Sequence, residues 1–446
     1  MQRVVLFLLF ALQVLVISGF WFWNHWRHPM GNQLLGDVAG QLIAWGRLAG
    51  LLAAFGCLLQ IILVGRVRWV ERAFGLDRLT RLHHATGFSL VALLVAHPVL
   101  LTIGHARQDD VTVWAQFVDF VCTWKGLMAA AIGLVLLLAA IGLSIAIIRR
   151  RLRYETWYAT HLAIYLALAL AFGHQIALGS DLAGKPLFRA YWLALYAFTF
   201  VNLLWGRVAR PWRDFRRHRF AVAALTPETA DVTSVHICGR DLDRFRAESG
   251  QFVRVRFLAP GFRWESHPFS ISQPPDGREL RLTIKRIGDY TRRIPALPLG
   301  TRVVIDGPYG IFTARRAQSA KVLMIAGGIG ITPIRAVAEV LLASGRGIIL
   351  VCGNRDRASV ALYDELEGLA ASSGGRLRVI HVMSAEPGWP GERGRVDGPC
   401  LARLAPDLQE RDVYLCGPPP MMRQVRAAVH AAGVPDDRVF DERFAL

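Results

Sequence analysis

Six long apolar stretches fill the first half of the chain, and each is long enough to cross a lipid bilayer as a helix. The predicted spans are residues 4–23, 39–64, 82–104, 126–148, 157–178 and 188–205. From about residue 219 the pattern changes to short β-rich segments separated by Gly and Pro turns, which predicts a small antiparallel barrel. From residue 321 strands alternate with helical segments, which predicts an α/β domain with a parallel sheet.

The fold class that follows is a multi-domain membrane protein. A six-helix transmembrane bundle would occupy residues 1–206, and a basic linker residues 207–218. The antiparallel β-barrel would occupy residues 219–316, and the α/β nucleotide-binding domain residues 317–446. Apolar residues make up 53% of the chain and charged residues 19%, as expected when a hydrophobic half is joined to an ordinary water-exposed half.

Arginines cluster in alternate connections between the predicted spans. They follow the second, fourth and sixth spans, whereas the opposite loops carry few basic residues. The positive-inside rule then puts both termini and the whole C-terminal half in the cytoplasm. The net charge of +18 therefore reflects membrane topology, and no basic-plus-aromatic motif points to a nucleic acid.

Four histidines lie in two of the spans, His83 and His97 in the third and His161 and His174 in the fifth. Ionisable residues are costly in a lipid-facing helix, so they mark a functional site. Fourteen positions of helix cover about 21 Å, which places one histidine of each span in each leaflet. If the spans are neighbours, His83 pairs with His161 on the inner side. His97 pairs with His174 on the outer side, and each pair could hold a haem iron between two imidazoles.

Helical geometry adds two expectations about these ligands. His83 is 14 positions from the outer histidine of its span and His84 only 13, so His83 returns more nearly to the same face. The histidines of the fifth span are 13 positions apart, which predicts a bend or a bulge near Gly173. The alternative is that the four rings are satisfied polar groups between packed helices.

The six cysteines show no CxxC or cluster spacing. An iron–sulfur centre or a structural zinc site is therefore not expected. Because the sequence has no CxxCH attachment motif, any haem should be of b type.

The stretch IAGGIGITP, residues 325–333, follows a hydrophobic strand and opens a helix. Its glycines would let the backbone approach a pyrophosphate at a helix N-terminus, although a tight strand-to-helix turn is the simpler alternative. Arg355, after the next strand, could pair with the 2′-phosphate of NADPH. Asp356 could instead favour the ribose hydroxyl of NADH. We favour NADPH.

Several motifs follow one another in a specific order: HPFSIS (267–272), IKRIGDYT (284–291), GPYG (307–310), GGIGITP and CGPPPMM (416–422). Together with a near-terminal aromatic residue, they resemble the ferredoxin–NADP reductase superfamily. With six spans and paired histidines in front, the chain resembles the NADPH oxidase and ferric reductase family, in particular its short bacterial members. The resemblance implies FAD in the barrel, NADPH or NADH in the α/β domain, two haem b groups and a multi-pass protein of the bacterial inner (cytoplasmic) membrane.

The resemblance also implies roles for individual residues. Ser270 would hydrogen-bond near the reactive flavin nitrogen, Cys416 would approach the nicotinamide, and Phe444 would stack on the isoalloxazine. Further FAD contacts would come from His267, Pro268, Phe269, Lys285, Gly288, Tyr290, Thr291 and Gly307. The nicotinamide nucleotide would contact Gly327, Gly328, Gly330, Thr332, Gly417 and Pro418.

These expectations describe an enzyme that carries electrons from cytoplasmic NAD(P)H through FAD and two haems to the outer face. Iron held by two histidines has no open position, so the acceptor would take its electron at the haem edge. Dioxygen, giving superoxide, is the first candidate acceptor, and ferric iron or a ferric chelate the second. The other possibilities are an electron-supply module for a periplasmic or membrane partner protein, and a membrane-anchored flavin reductase without haem.

Overall fold

The computed structural model describes residues 2–26, 33–145 and 154–443. The chain divides into two compact units. The first, here called the membrane unit, comprises Met1–Phe74 and Arg78–Leu204. The second, here called the sheet unit, comprises Gly75–Asp77 and Trp205–Leu446.

The membrane unit is built from helices. Within the described residues they are α1 (Gln2–Trp26), α2 (Val38–Val64), α3 (Arg68–Phe74), α4 (Leu76–Gln108), α5 (Val113–Thr123), α6 (Leu127–Ser144), α7 (Tyr154–Ala177) and α8 (Pro186–Leu204). Six of them, all except α3 and α5, are long and apolar enough to cross a membrane, in agreement with the six predicted spans. The short helices α3 and α5 were not predicted.

Glycines allow the membrane helices to approach one another closely. A Cβ atom on Gly46 of α2 would lie 3.1 Å from side-chain atoms of Leu100 and Leu101 on α4. Between α6 and α7, a Cβ on Gly133 would lie 2.7 Å from the carbonyl oxygen of Ala167. Small residues are favoured at such contacts because packing, rather than the hydrophobic effect, drives helices together in lipid.

The basic segment after α8 is helical. A π-type turn, Trp205–Ala209, leads into α9, Arg210–His218. The guanidinium of Arg210 is buried and donates a hydrogen bond to the carbonyl of Gly307. The predicted linker is thus a folded element of the sheet unit.

Six strands form two antiparallel three-stranded sheets. One has the order β1 (Ala221–Thr229), β2 (Val232–Cys238), β5 (Glu279–Lys285), and the other β4 (His267–Ser270), β3 (Phe252–Phe257), β6 (Val303–Tyr309). Only the isolated bridges Ala221↔Arg302 and Ile271↔Leu282 link the two. A closed barrel is therefore not confirmed, because the described strands form two sheets whose ends are joined by isolated antiparallel bridges. Register shifts in β1 and β3 interrupt the pairing, as bulges do in bent sheets.

The remaining strands form one parallel sheet with the order β10-β9-β8-β7-β11-β12. They are β7 (Lys321–Gly327), β8 (Gly347–Asn354), β9 (Leu377–Met383), β10 (Glu392–Arg393), β11 (Asp412–Cys416) and β12 (Val439–Glu442). The helices of this unit beyond α9 are α10 (Asp289–Arg292), α11 (Ile331–Ala343), α12 (Tyr363–Ser372), α13 (Gly398–Leu404) and α14 (Pro419–Ala431). The strand order reverses at β7, which lies between β8 and β11. The carboxyl ends of strands at such a point form the usual ligand crevice of this architecture.

Candidate functional site

The structure brings the four span histidines together in two pairs. The ring centroids of His83 and His161 are 6.4 Å apart, and those of His97 and His174 are 6.3 Å apart. A metal–imidazole bond is about 2 Å long, so two rings that bind one metal from opposite sides have centroids about 6 Å apart. Both pairs are therefore spaced to hold a metal between them.

The nitrogen atoms of these rings fit the same role. The Nδ1–H of His97 donates to the carbonyl of Gly46 at 2.8 Å, which leaves Nε2 with a free lone pair. The Nδ1 atoms of His83 and His174 are buried and have no hydrogen-bond partner. Buried polar atoms without partners are rare, and here each of the two facing pairs contains one. The donor set, four imidazoles in two facing pairs, fits two bis-histidine haems.

The bulge predicted near Gly173 is absent, because α7 is a regular α-helix over Tyr154–Ala177. The alternative, a bend of this helix, stays a prediction. The irregularity lies instead in the partner helix, where Pro98 directly follows His97 and removes a backbone hydrogen bond. His84 contacts His83 edge-on at 5.9 Å, while the ring of His83 is the one that meets His161.

The HPFS strand β4 and the short helix α10 each carry a buried hydroxyl group that a flavin would satisfy. Ser270 is only 5% exposed, and its Oγ has no hydrogen-bond partner. The hydroxyl of Tyr290 is likewise buried without a hydrogen-bond partner within the described residues, and burial raises the pKa of this phenol. The ring of His267 lies against Tyr290, with centroids 4.1 Å apart. These orphaned groups fit a bound FAD, which would supply partners that the protein lacks.

Other residues assigned to FAD by resemblance have partners within the protein. Lys285 forms an ion pair with Asp231 at 3.3 Å. The hydroxyl of Thr291 accepts hydrogen bonds from the amides of Ile287, at 2.9 Å, and Gly288, at 3.0 Å. These residues order the turn beside β5.

The remaining members of that set lie in strands. Pro268 is exposed, while Phe269 is half-buried and packs on the core of the antiparallel sheets. Gly307 lies within β6, where a Cβ would lie 3.0 Å from a side-chain carbon of Val253. The last two positions therefore shape the fold around the site.

The glycines of the two loops at the reversal point divide into two kinds. A Cβ on Gly330 would lie 2.6 Å from the carbonyl carbon of Cys416, and one on Gly417 would lie 3.0 Å from the Cα of Gly327. These glycines let the loops after β7 and β11 touch. Gly328 differs, because its φ is +51° and nothing lies within 4 Å of a Cβ built there. The backbone at Gly328 therefore faces open space, as a phosphate-binding loop requires.

A shallow groove beside this loop is lined by Ala326, Gly328, Ile331, Cys352, Asn354, Val360 and Ala361. At the end of β11, Cys416 is fully buried, and burial raises the pKa of its thiol well above the ordinary value. Cys416 is therefore a neutral packing group. Pro418 precedes α14, and Thr332 donates its hydroxyl to the carbonyl of Ile329 at 3.0 Å.

Arg355 and Asp356 follow β8 at the same edge of the sheet. The carboxylate of Asp356 accepts a hydrogen bond from the amide of Ser359 at 2.9 Å and so caps the next turn. Arg355 is exposed, and its guanidinium makes no hydrogen bond or ion pair within the described residues. Phe444 lies outside the described residues.

A buried ionic network that the sequence did not predict joins β5 to α11 and α12. The guanidinium of Arg281 donates to the carboxylate of Glu365, which also pairs with Arg335 at 3.0 Å. Burial would raise the pKa of Glu365, but the bonds from Arg281 and the charge of Arg335 hold it below its usual range. The only sequence signal is an arginine inside the apolar strand LRLTIK.

Three family models match the chain in the order of these features. A ferric reductase-like transmembrane component matches residues 49–172, an FAD-binding domain residues 217–313, and an oxidoreductase NAD-binding domain residues 324–427. The chain joins a ferric reductase-like membrane domain to an FAD- and NAD-binding reductase. These matches, with six helices long and apolar enough to cross a membrane, agree with the motif resemblance.

Curated relatives match about half of the chain. The ferredoxin reductase component of 3-ketosteroid-9-alpha-monooxygenase from Mycolicibacterium smegmatis is 33% identical over 234 residues, which are 50% of this chain and 64% of that protein. The chain thus spans less than two thirds of this relative. The flavohemoprotein of Candida albicans is 27% identical over 272 residues, 57% of this chain and 67% of the relative. The FAD/NAD-binding domain of nitric oxide dioxygenase from Vibrio cholerae aligns with a TM-score of 0.44 at 22% identity, covering 51% of this chain and 99% of that domain.

Proposed function

We propose that this protein carries electrons from cytoplasmic NADPH through FAD and two b-type haems to an acceptor on the outer face of the membrane. One observation carries the proposal. Two pairs of imidazole rings face each other with centroids 6.4 and 6.3 Å apart, in a chain that also matches FAD- and NAD-binding domains. When bound, FAD converts a two-electron hydride into single electrons, and the haems relay them.

The membrane unit would hold the iron atoms. His83 and His161 are the proposed inner ligands, and His97 and His174 the outer ones. The arginine-rich connections after the second, fourth and sixth spans support this orientation, with both termini and the sheet unit in the cytoplasm of a bacterial cell. Four imidazoles with free nitrogens provide the ligation, and the surrounding apolar helices exclude water.

The sheet unit would bind and orient flavin and nucleotide. Ser270 would donate its unpartnered hydroxyl to the flavin ring, and Tyr290 would line the same surface. The loop at Gly328 and the N-terminal amides of α11 would receive the nucleotide pyrophosphate. Cys416, Gly417 and Pro418 would border the nicotinamide, while Phe444 would stack on the isoalloxazine in its absence.

NADPH is favoured over NADH by the two residues that follow β8. The carboxylate of Asp356 accepts a hydrogen bond at Oδ1 in capping a turn, which directs that oxygen toward the turn. The guanidinium of Arg355 is exposed and unengaged, which suits a charge-assisted pair with a 2′-phosphate.

Dioxygen is the proposed acceptor, because two-histidine ligation leaves the haem edge for a small diffusing molecule. A ferric chelate is the second candidate, favoured by the ferric reductase-like match over residues 49–172. Supply of electrons to a periplasmic or membrane partner protein is the third, since the bacterial relative is itself a reductase component.

Turnover of the purified full-length protein separates these acceptors. With NADPH and FAD, external dye reduction should be inhibited by superoxide dismutase and should not require a ferric chelate. Turnover that ignores dismutase and appears only with ferric chelate would replace the oxidase assignment with ferric reduction. Turnover that begins only when a partner fraction is added would identify an electron-supply module.

A further inference from the structure

Each facing pair of histidines contains one ring that is fixed at Nδ1 and one that is not. His97 and His161 donate from Nδ1, to the Gly46 carbonyl at 2.8 Å and to the Ser144 hydroxyl oxygen at 3.2 Å. Their partners, His174 and His83, have buried Nδ1 atoms that make no well-formed hydrogen bond within the described residues, and the rings only approach the backbone of Ala171 and of Gln60. The same asymmetry occurs at both depths of the membrane unit, although the acceptors belong to different helices.

The hydrogen bonds around Ser144 determine which way the proton of His161 points. The Ser144 hydroxyl donates to the carbonyl of Ala140 at 2.8 Å, so its oxygen is left to accept. It accepts from the indole N–H of Trp157 at 3.2 Å, and the remaining neighbour is Nδ1 of His161. With the Ser144 proton directed to Ala140, this arrangement assigns the proton of His161 to Nδ1, so that Nε2 presents its lone pair. Trp157 also stacks on the His161 ring, with centroids 5.2 Å apart and planes inclined by 27°.

The ring of His97 is fixed by the surface of α2. Gly46 supplies the carbonyl acceptor, and Gly50 lies one turn further along the same face. A Cβ on Gly50 would lie 2.6 Å from Cε1 of the imidazole, which is well inside van der Waals contact. The ring can lie against the backbone and reach the carbonyl only because position 50 has no side chain.

We propose that Ser144 and Gly50 are positioning residues that fix the tautomer and plane of one axial ligand in each pair, while His83 and His174 adjust when iron binds. This inference rests on the proposed haem ligation. An acceptor at Nδ1–H orients a ligating imidazole and makes its other nitrogen a stronger donor. A stronger donor stabilises ferric iron over ferrous iron, so the device would lower the reduction potential of each haem.

The inner arm of the test compares Ser144→Ala with Ser144→Thr in the full-length protein. Two measurements would be made on each variant, the low-spin ferric spectrum and a potentiometric titration of both haems. The spectral signal that is lost in His161→Ala identifies the inner haem, and the one that is lost in His97→Ala identifies the outer haem. We expect Ser144→Ala to shift the inner signal, raise the inner midpoint potential and weaken inner haem retention roughly 10–100-fold. Ser144→Thr keeps the hydroxyl group, so its inner spectral signal, inner midpoint potential and inner haem retention should be those of the wild type.

The outer arm compares Gly50→Ala with Gly19→Ala. Both substitutions add one methyl group to a membrane helix, but nothing lies within 4 Å of a Cβ at Gly19. We expect Gly50→Ala to shift the outer signal and potential only, and Gly19→Ala to leave both haems as in the wild type. If Gly50→Ala does not accumulate in the membrane, the Ser144 pair decides the inference.

The outcomes separate this inference from the function on which it rests. Wild-type protein without haem would overturn both. Two wild-type haems whose spectra and potentials stay unchanged in Ser144→Ala would overturn the positioning role alone. Equal shifts of both haems in that variant would also overturn it, because they would indicate a general effect on helix packing.

Discussion

The membrane unit and the sheet unit would hold their cofactors by opposite means. In the membrane unit the contacts are the side chains of four histidines. The Nδ1 atoms of two of them are hydrogen-bonded to a carbonyl or a hydroxyl group, and those of the other two are not. In the sheet unit they are mainly backbone, at loops where glycines let strands β7 and β11 end side by side. A substitution in the first region should remove one ligand, whereas one in the second should distort a loop and its neighbours together.

The largest effect is expected from Gly330→Ala in the sheet unit. The added methyl group would collide with the carbonyl group of Cys416, and overpacking of this kind costs about 1–3 kcal/mol. We expect loss of NADPH-dependent flavin reduction and a lower melting temperature, measured by anaerobic flavin bleaching and thermal unfolding. Gly347→Ala is the matched control, because nothing lies within 4 Å of a Cβ at this first residue of β8, which is at the end of the strand away from the loops. Wild-type flavin reduction in Gly330→Ala would contradict the assigned loop contact.

Arg355→Ala should affect nucleotide choice without affecting the fold. Hydrogen bonds to a charged group contribute about 1.5–3 kcal/mol, so KM for NADPH should rise roughly 10–100-fold while kcat and KM for NADH stay unchanged. Steady-state kinetics with both nucleotides provide the measurement, and the exposed Arg378 supplies the control variant Arg378→Ala. Equal losses with NADPH and NADH would remove Arg355 from the 2′-phosphate site.

Ser270→Ala should slow flavin reduction about tenfold, the expected loss for one hydrogen bond. Stability should not fall, since the Ser270 hydroxyl has no partner in the protein. Ser272→Ala provides the contrast, because the Ser272 hydroxyl donates to the carbonyl of Arg281 at 3.1 Å and its loss should lower stability rather than rate. Rapid-mixing reduction and thermal unfolding of both variants would show whether the two effects separate in this way.

The smallest effect is expected from the pH dependence of Glu365. Its pKa is lower in the folded chain than the ordinary value, so its contribution to stability is present above that value and is lost as pH falls through the lowered pKa. As the pH is lowered from about 5 to about 3, the melting temperature should therefore fall more steeply in the wild type than in Glu365→Gln. If the melting temperatures of the two proteins fall equally steeply with pH, the ion pairs with Arg281 and Arg335 add no pH-dependent stability.

The sequence predicts what depends on local pattern and fails where distant segments meet. Hydrophobic runs and histidine spacings of 13 and 14 residues are local, so the six spans and the four histidines follow from them. Closure of the antiparallel strands depends on bulges, which no local signal marks. Ser144 and Gly50 matter only through contacts with His161 and His97, and a serine or a glycine in an apolar helix gives no sign of such a neighbour.

Counting haem against flavin tests the central claim most directly. Purified full-length protein should contain two low-spin b-type haems per FAD, and His97→Ala should contain one while still reducing its flavin with NADPH at the wild-type rate. Wild-type protein without haem, or a His97→Ala variant that keeps both haems, would contradict the account.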